Sequence, residues 1–172
     1  MMLYILEHLG RVNIGRLNEL RELDDVFNGI AHRSHELAVV LLHLREQKPI
    51  VTSRSQPEPD LAVMRGPATL YYEKHPRPVD VFLTVEVSDS SLEDDRERKG
   101  RIYAQAKLPV YWIIIILESK VEVYSSPHGG NRPRYLERND FDLEGIIPLV
   151  IQDQKIATIP VRELFFIPER KK

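Results

Sequence analysis

The chain has 172 residues and no cysteine. Disulfides, thiolate metal sites and a cysteine nucleophile are therefore excluded. Any metal must be held by Asp, Glu, His or backbone oxygen, and carboxylates suit hard cations such as magnesium. Nor is there an apolar stretch long enough to span a membrane. The longest uncharged apolar run, 108–117, is only strand-sized. The first ten residues include Glu7 and lack the basic start and small-residue cleavage site of a signal peptide. A soluble cytoplasmic protein is expected. Positive charge is not in excess either: the formal net charge is −2, which argues against a broad nonspecific nucleic-acid surface. A local basic cleft is compatible with that balance, because Arg96, Arg98, Lys99 and Arg101 are bunched, as are Lys74, His75 and Arg77. Internal repeats and low-complexity tracts are missing. Ser90 and Ser91 lack the Gly-x-Ser-x-Gly context of a serine nucleophile and read as a turn and cap. His32 and His35 have no third ligand at readable spacing, so they read as capping or surface residues.

What is present fits one domain over 1–172, with 42 % apolar residues to build a core. Residues 1–48 read as a diverged helical N-terminal part. Leu17, Leu20, Leu23 and Val26–Phe27 suggest a loose helix. Ser34 is a cap candidate before Leu37, Val40, Leu41 and Leu44, which fall at i, i+3, i+4 and i+7; Pro49 ends that helix. A short strand is expected at 50–52, and another beginning at or next to Asp60. Residues 66–79 read as loop with one helical turn near 70–73. The stretch 80–88 is a strong strand, with Val81, Leu83, Val85 and Val87 on one face and Phe82, Thr84, Glu86 and Ser88 on the other. Residues 91–106 read as a helix capped by Ser91, with Glu93, Asp94 and Asp95 in its first turn. Pro109 breaks it. The run 110–117 is a strand buried on both faces, and 121–124 its hairpin partner across Glu118, Ser119 and Lys120. Loop follows at 129–134, then short strands or turns at Tyr135, 146–151, 156–161 and 164–167, and a basic end at 170–172. The fold class is α/β (α+β): a mixed central β-sheet flanked by helices, with a crossover helix after the third strand.

Three charged residues stand where folding alone does not ask for charge. Asp60 opens an otherwise apolar strand. Glu86 lies in the middle of the most hydrophobically patterned strand, where an unpartnered buried carboxylate costs several kcal/mol. Either its mixed face is solvated or it serves a site. Lys99 shares a helical stripe with Leu92, Asp95, Ile102, Tyr103 and Ala106, opposite Arg96, Glu97, Arg98, Gly100, Arg101 and Gln105. One reading is a snorkelling lysine paired to Asp95 at i,i+4. The other is catalytic. Two acidic side chains on neighbouring strands hold magnesium, with manganese able to substitute, and leave positions for water and a phosphate oxygen. A nearby lysine orients or deprotonates the attacking water and stabilises developing charge.

The motif series strengthens the second reading. Glu58-Pro59-Asp60-Leu61-Ala62-Val63, Val85-Glu86-Val87-Ser88-Asp89-Ser90-Ser91-Leu92, Asp95-Arg96-Glu97-Arg98-Lys99, Tyr103-Ala104-Gln105-Ala106, Pro109-Val110-Tyr111-Trp112-Ile113 and Val121-Glu122-Val123-Tyr124 occur in that order. Together, over residues 49–127, they resemble the Uma-two family of restriction-endonuclease-like proteins, within the PD-(D/E)XK nuclease superfamily. That family's lysine is moved from the strand position two after the glutamate, here Ser88, to the following helix, here Lys99. The resemblance implies a restriction-endonuclease-like core at 49–127 and metal-dependent hydrolysis of DNA phosphodiesters. It implies Asp60, Glu86 and the Val87 carbonyl as ligands of magnesium, Lys99 as the catalytic lysine, and a homodimer without an organic cofactor. The alternative is a catalytically inactive nucleic-acid-binding or scaffold protein that keeps the fold.

Overall fold

The structure, a computed structural model, describes residues 42–152 and 154–165. The helix expected over the first thirty residues, the start of the next one at Ser34, His32 and His35, and the basic end lie outside them.

Among the described residues, six strands form one sheet in sequential order: β1 Leu42–Glu46, β2 Leu61–Arg65, β3 Val81–Ser88, β4 Val110–Ile115, β5 Lys120–His128 and β6 Arg134–Phe141. Only β3 and β4 run parallel; the other pairs are antiparallel. A parallel neighbour needs a crossover, and the helical stretch 92–105 supplies it, as expected. β7 Ile146–Ile151 and β8 Gln154–Pro160 form a separate hairpin. The central mixed sheet with its crossover helix is the expected α+β arrangement. None of the described helices is long and apolar enough to cross a membrane.

The two faces of the sheet are closed differently. On one, Leu61, Val63, Leu83, Val85, Trp112 and Ile114 pack under the β7–β8 hairpin and the turn Val161–Leu164. On the other, Ala62, Met64, Tyr111, Ile113 and Ile115 pack under Tyr103 and Leu108, with Ile50 and Tyr71 at the margin. Every residue from Tyr111 to Ile115 is buried, which is why β4 carries no alternation.

Four local expectations change. The helix expected to run from Ser34 through Leu44 does not reach that far, because 42–46 is β1, antiparallel to β2. Leu42 and Leu44 alternate with His43 and Arg45 as well as fitting a helical spacing, and pairing satisfies the backbone groups along β2's outer side. No strand forms at 50–52. The Ile50 and Val51 amides donate to the Pro57 and Pro76 carbonyls, and Thr52 turns back on Ser55. In β3 the alternation breaks at its start. Met64 pairs with Val81 and Val63 with Leu83, so Phe82 is the extra residue of a β-bulge. Val81 therefore joins the helix-side core and Phe82 the hairpin-side core. Finally, Gly100 is buried, not on the outer helix face. The helix contains a π turn at Asp95–Lys99 between Leu92–Asp94 and Gly100–Gln105. The extra residue in that turn shifts the phase of the helix beyond it and carries Gly100 inward, against the Tyr111 ring.

Candidate active site

Asp60 sits one residue before β2 and is half-buried. Its Oδ2 accepts the Val87 amide at 2.8 Å, tying the start of β2 to the end of β3. A strand residue turns its N–H and C=O to the same side. The Ser88 carbonyl faces β4, where it accepts the Ile116 amide. Val87, one residue earlier, therefore turns its carbonyl to the β2 side of β3 and not into β4.

Glu86 is 1 % exposed, which removes the solvated-face reading. The Tyr103 hydroxyl donates to Oε1 at 2.5 Å and Lys99 Nζ stands 2.9 Å from Oε2. Burial pushes its pKa up from 4.5 to about 7; Tyr103 and Lys99 oppose the rise, and the Asp60 charge adds to it. Lys99 is also 2.8 Å from Asp95 Oδ1, and its side chain is 25 % exposed. Both sequence readings of Lys99 therefore meet in one geometry: the i,i+4 pair with Asp95 exists, and the ammonium points inward, bridging it to Glu86. Burial works against the Lys99 charge, but Asp95 and Glu86 outweigh it and hold the ammonium above its ordinary pKa.

Asp60, Glu86 and Lys99 thus come together from three elements. The helix supplies Lys99 through its π turn, a distortion that concentrates at functional sites. In that turn the Gly100 amide donates back to the Asp95 carbonyl, which also accepts the Tyr111 hydroxyl at 3.0 Å. Ser88 is wholly buried and its Oγ has no hydrogen-bond partner among the described residues. Glu86 and Asp95 share the Lys99 ammonium, and the Asp60 charge is felt at Glu86. Among the described residues, no group of three or more His, Cys, Asp or Glu side chains is placed to hold a metal.

Several working residues escaped the sequence reading. Tyr103 was legible only as part of the inward stripe, although its place four residues after Lys99 on that stripe was the signal for a partner to Glu86. Ser91 makes no side-chain bond to a helix amide; its hydroxyl donates to Asp95 Oδ2 at 2.7 Å, steadying the carboxylate that holds Lys99. A second buried cluster went unseen. Glu122, on β5, is 1 % exposed and accepts from Arg96, from Arg138 at 2.7 Å and from the Tyr124 hydroxyl at 2.6 Å. Glu122 and Tyr124 lie two apart on one strand face, which the alternation of 121–124 did show.

Comparison with known proteins adds a family and a fold. The sequence model of the Uma2 family, described as "Putative restriction endonuclease", matches residues 18–157. A crystal structure of a "putative nuclease belonging to DUF820" from Anabaena variabilis superposes with a TM-score of 0.53 at 16 % identity, covering 74 % of this chain and 70 % of that one. At that identity the likeness concerns the fold alone. No curated protein matches the chain.

Proposed function

The chain belongs to the Uma2 family, a nuclease family of restriction-endonuclease-like proteins, and on that premise we propose that it is a metal-dependent endonuclease that hydrolyses DNA phosphodiester bonds at Asp60, Glu86 and Lys99. The observation that carries the proposal is the charge balance around Glu86. A wholly buried carboxylate held near pKa 7, beside a second carboxylate and with one shared ammonium, is short of positive charge. The donors on hand are oxygens: the Asp60 and Glu86 carboxylates and the Val87 carbonyl. That set fits magnesium, or manganese in its place, which binds through one or two carboxylates and keeps several waters. When bound, the cation supplies charge neutralisation at the phosphate and lowers the pKa of water.

The chain's own residues do the rest. Asp60 is fixed by the Val87 amide, so its free oxygen is held in place. Tyr103 fixes one oxygen of Glu86 and leaves the other to Lys99. Lys99 stays an ammonium, since both its partners favour the charged form. Its role is therefore to orient the attacking water and to stabilise charge on the phosphate, not to take a proton. Cutting both strands of a duplex with one centre per chain calls for two copies, so a homodimer belongs to the proposal.

Nicking of supercoiled plasmid in magnesium tests it. Wild type should nick and stop on addition of EDTA, while Asp60→Ala and Lys99→Ala should be at least roughly a hundredfold slower. Equal rates in all three would sink the assignment. DNA binding with no nicking by any of them would point instead to the inactive, binding-only form of the fold.

A further inference from the structure

The far side of the same helix faces a cleft of about 560 Å³ whose lining includes Arg96, Arg101, Arg132, Arg134, Tyr124 and Tyr135. Glu97, the one acidic lining residue among those described, is already paired with Arg101. Arg132 and Arg134 are exposed and make no ion pair or side-chain hydrogen bond among the described residues. Among the described residues the lining holds four guanidiniums and one carboxylate, and with Arg96 held by Glu122 and Arg101 by Glu97, Arg132 and Arg134 remain uncompensated, in a chain whose net charge is −2. Folding does not concentrate like charge in a concave site without cost, and an anion offsets it.

The cleft is also built to hold its shape. Glu122 anchors Arg96 from below. The Tyr135 hydroxyl donates to the Leu108 carbonyl at 2.9 Å, fixing the start of β6 against the end of the helix. The rings of Tyr111, Tyr124 and Tyr135 lie 5.6–6.0 Å apart as one group. The β5–β6 connection that delivers Arg132 turns through Gly130 at φ +89°, a conformation that side chains rarely adopt. A guanidinium presents parallel donors that match phosphate oxygens. Half-buried tyrosine rings beside them suit a nucleic-acid strand better than a free anion, because bases stack on such rings.

We propose that this cleft binds the phosphates of a nucleic-acid strand, without reading its sequence, and grips the substrate on the side of the helix away from Glu86. Lys99 turns toward the cutting centre, while Arg96 and Arg101 of the same helix turn toward the grip. The proposal rests on the nucleic-acid reading of the family but not on the catalytic trio.

The test is fluorescence anisotropy of the full chain with a short labelled duplex and its single strand, in EDTA, over about 50–200 mM salt. Arg132→Ala/Arg134→Ala should bind roughly tenfold more weakly, with the salt slope smaller by about 2. Arg162→Ala removes an arginine that is paired with Glu144 instead, and should leave affinity unchanged. Among the described residues neither substitution at 132 or 134 removes an ion pair or a side-chain hydrogen bond, so the double variant is expected to fold. Wild-type affinity and slope in the double variant would overturn the proposal. So would displacement of the oligonucleotide by millimolar inorganic phosphate, which marks a free-phosphate site. Plasmid nicking separates the two readings: unchanged binding by the double variant with active wild type sinks the grip and spares the centre. Weakened binding with no nicking by wild type does the reverse.

Discussion

Glu86 and Glu122 lie on one transverse line of the sheet, each paired across to Ile113, and each is 1 % exposed. Their surroundings differ. Glu86 has one ammonium, shared with Asp95, and a second carboxylate nearby, so burial wins and its pKa rises to about 7. At Glu122 burial pushes the same way, but Arg96, Tyr124 and Arg138 overcome it and its pKa is lowered. The same residue type, surface exposure and sheet position give one deeply desolvated carboxylate with a shared ammonium and one that is less deeply desolvated and met by two guanidiniums. Surface exposure alone therefore does not separate the two carboxylates; the balance of desolvation against positive partners does.

The contrast can be broken or sharpened at several points. The largest effect is on activity: Lys99→Ala should slow plasmid nicking at least roughly a hundredfold, whereas Arg138→Ala, which trims Glu122's excess of partners, should leave the rate within a few-fold. Next comes stability. Glu122→Ala frees two arginines that were held by one carboxylate. It should cost about 2 kcal/mol in urea unfolding, less than the ~3–5 kcal/mol of a fully buried pair because both arginines reach solvent. A loss below about 0.5 kcal/mol would contradict this account of Glu122.

A third effect is in the pH dependence of metal-free protein. Glu86 has a folded pKa above its unfolded value, so the fold binds the proton more tightly. Stability is full below about pH 4.5 for this group and falls as pH rises from 4.5 to about 7. That displacement corresponds to roughly 3 kcal/mol. Glu122 contributes with the opposite sign: its stabilisation is present above 4.5 and is lost as pH falls through its lowered folded value. Glu86→Gln should remove the fall between 4.5 and 7 and gain about 1 kcal/mol at pH 8, less than the full figure because an amide pairs less well with Lys99. An unchanged pH profile would contradict the account of Glu86. The smallest effect is expected at Ser88→Ala, within about 0.5 kcal/mol by thermal unfolding, since its buried Oγ has no hydrogen-bond partner among the described residues to lose.

Legibility in the sequence depended on range. The β3–helix–β4 unit was readable because its signals are local: alternation in 83–88, the apolar run of β4, and Pro109 between helix and strand. Asp60, Glu86 and Lys99 were readable as charges against an apolar pattern. Leu37, Val40, Leu41 and Leu44 fit a helical spacing, but Leu44 belongs to β1, whose pairing to β2 no local pattern records. The bulge at Phe82 and the π turn at Asp95–Lys99 each insert one residue, and a fixed period cannot register such an insertion. β6 was seen only at Tyr135, because its other residues are largely polar and exposed and carry little apolar alternation. The arginine cleft joins residues about thirty positions apart, so only half of it, Arg96 and Arg101, showed as a bunch.

The central claim is that the Glu86 centre, unlike Glu122, is completed by a cation. Calorimetric titration of manganese into metal-free protein at pH 6.5 tests it directly. Wild type should bind with a saturable heat and release protons as Glu86 ionises, and Asp60→Ala should lose that heat. No binding by wild type, or the same isotherm from Asp60→Ala, would contradict the account.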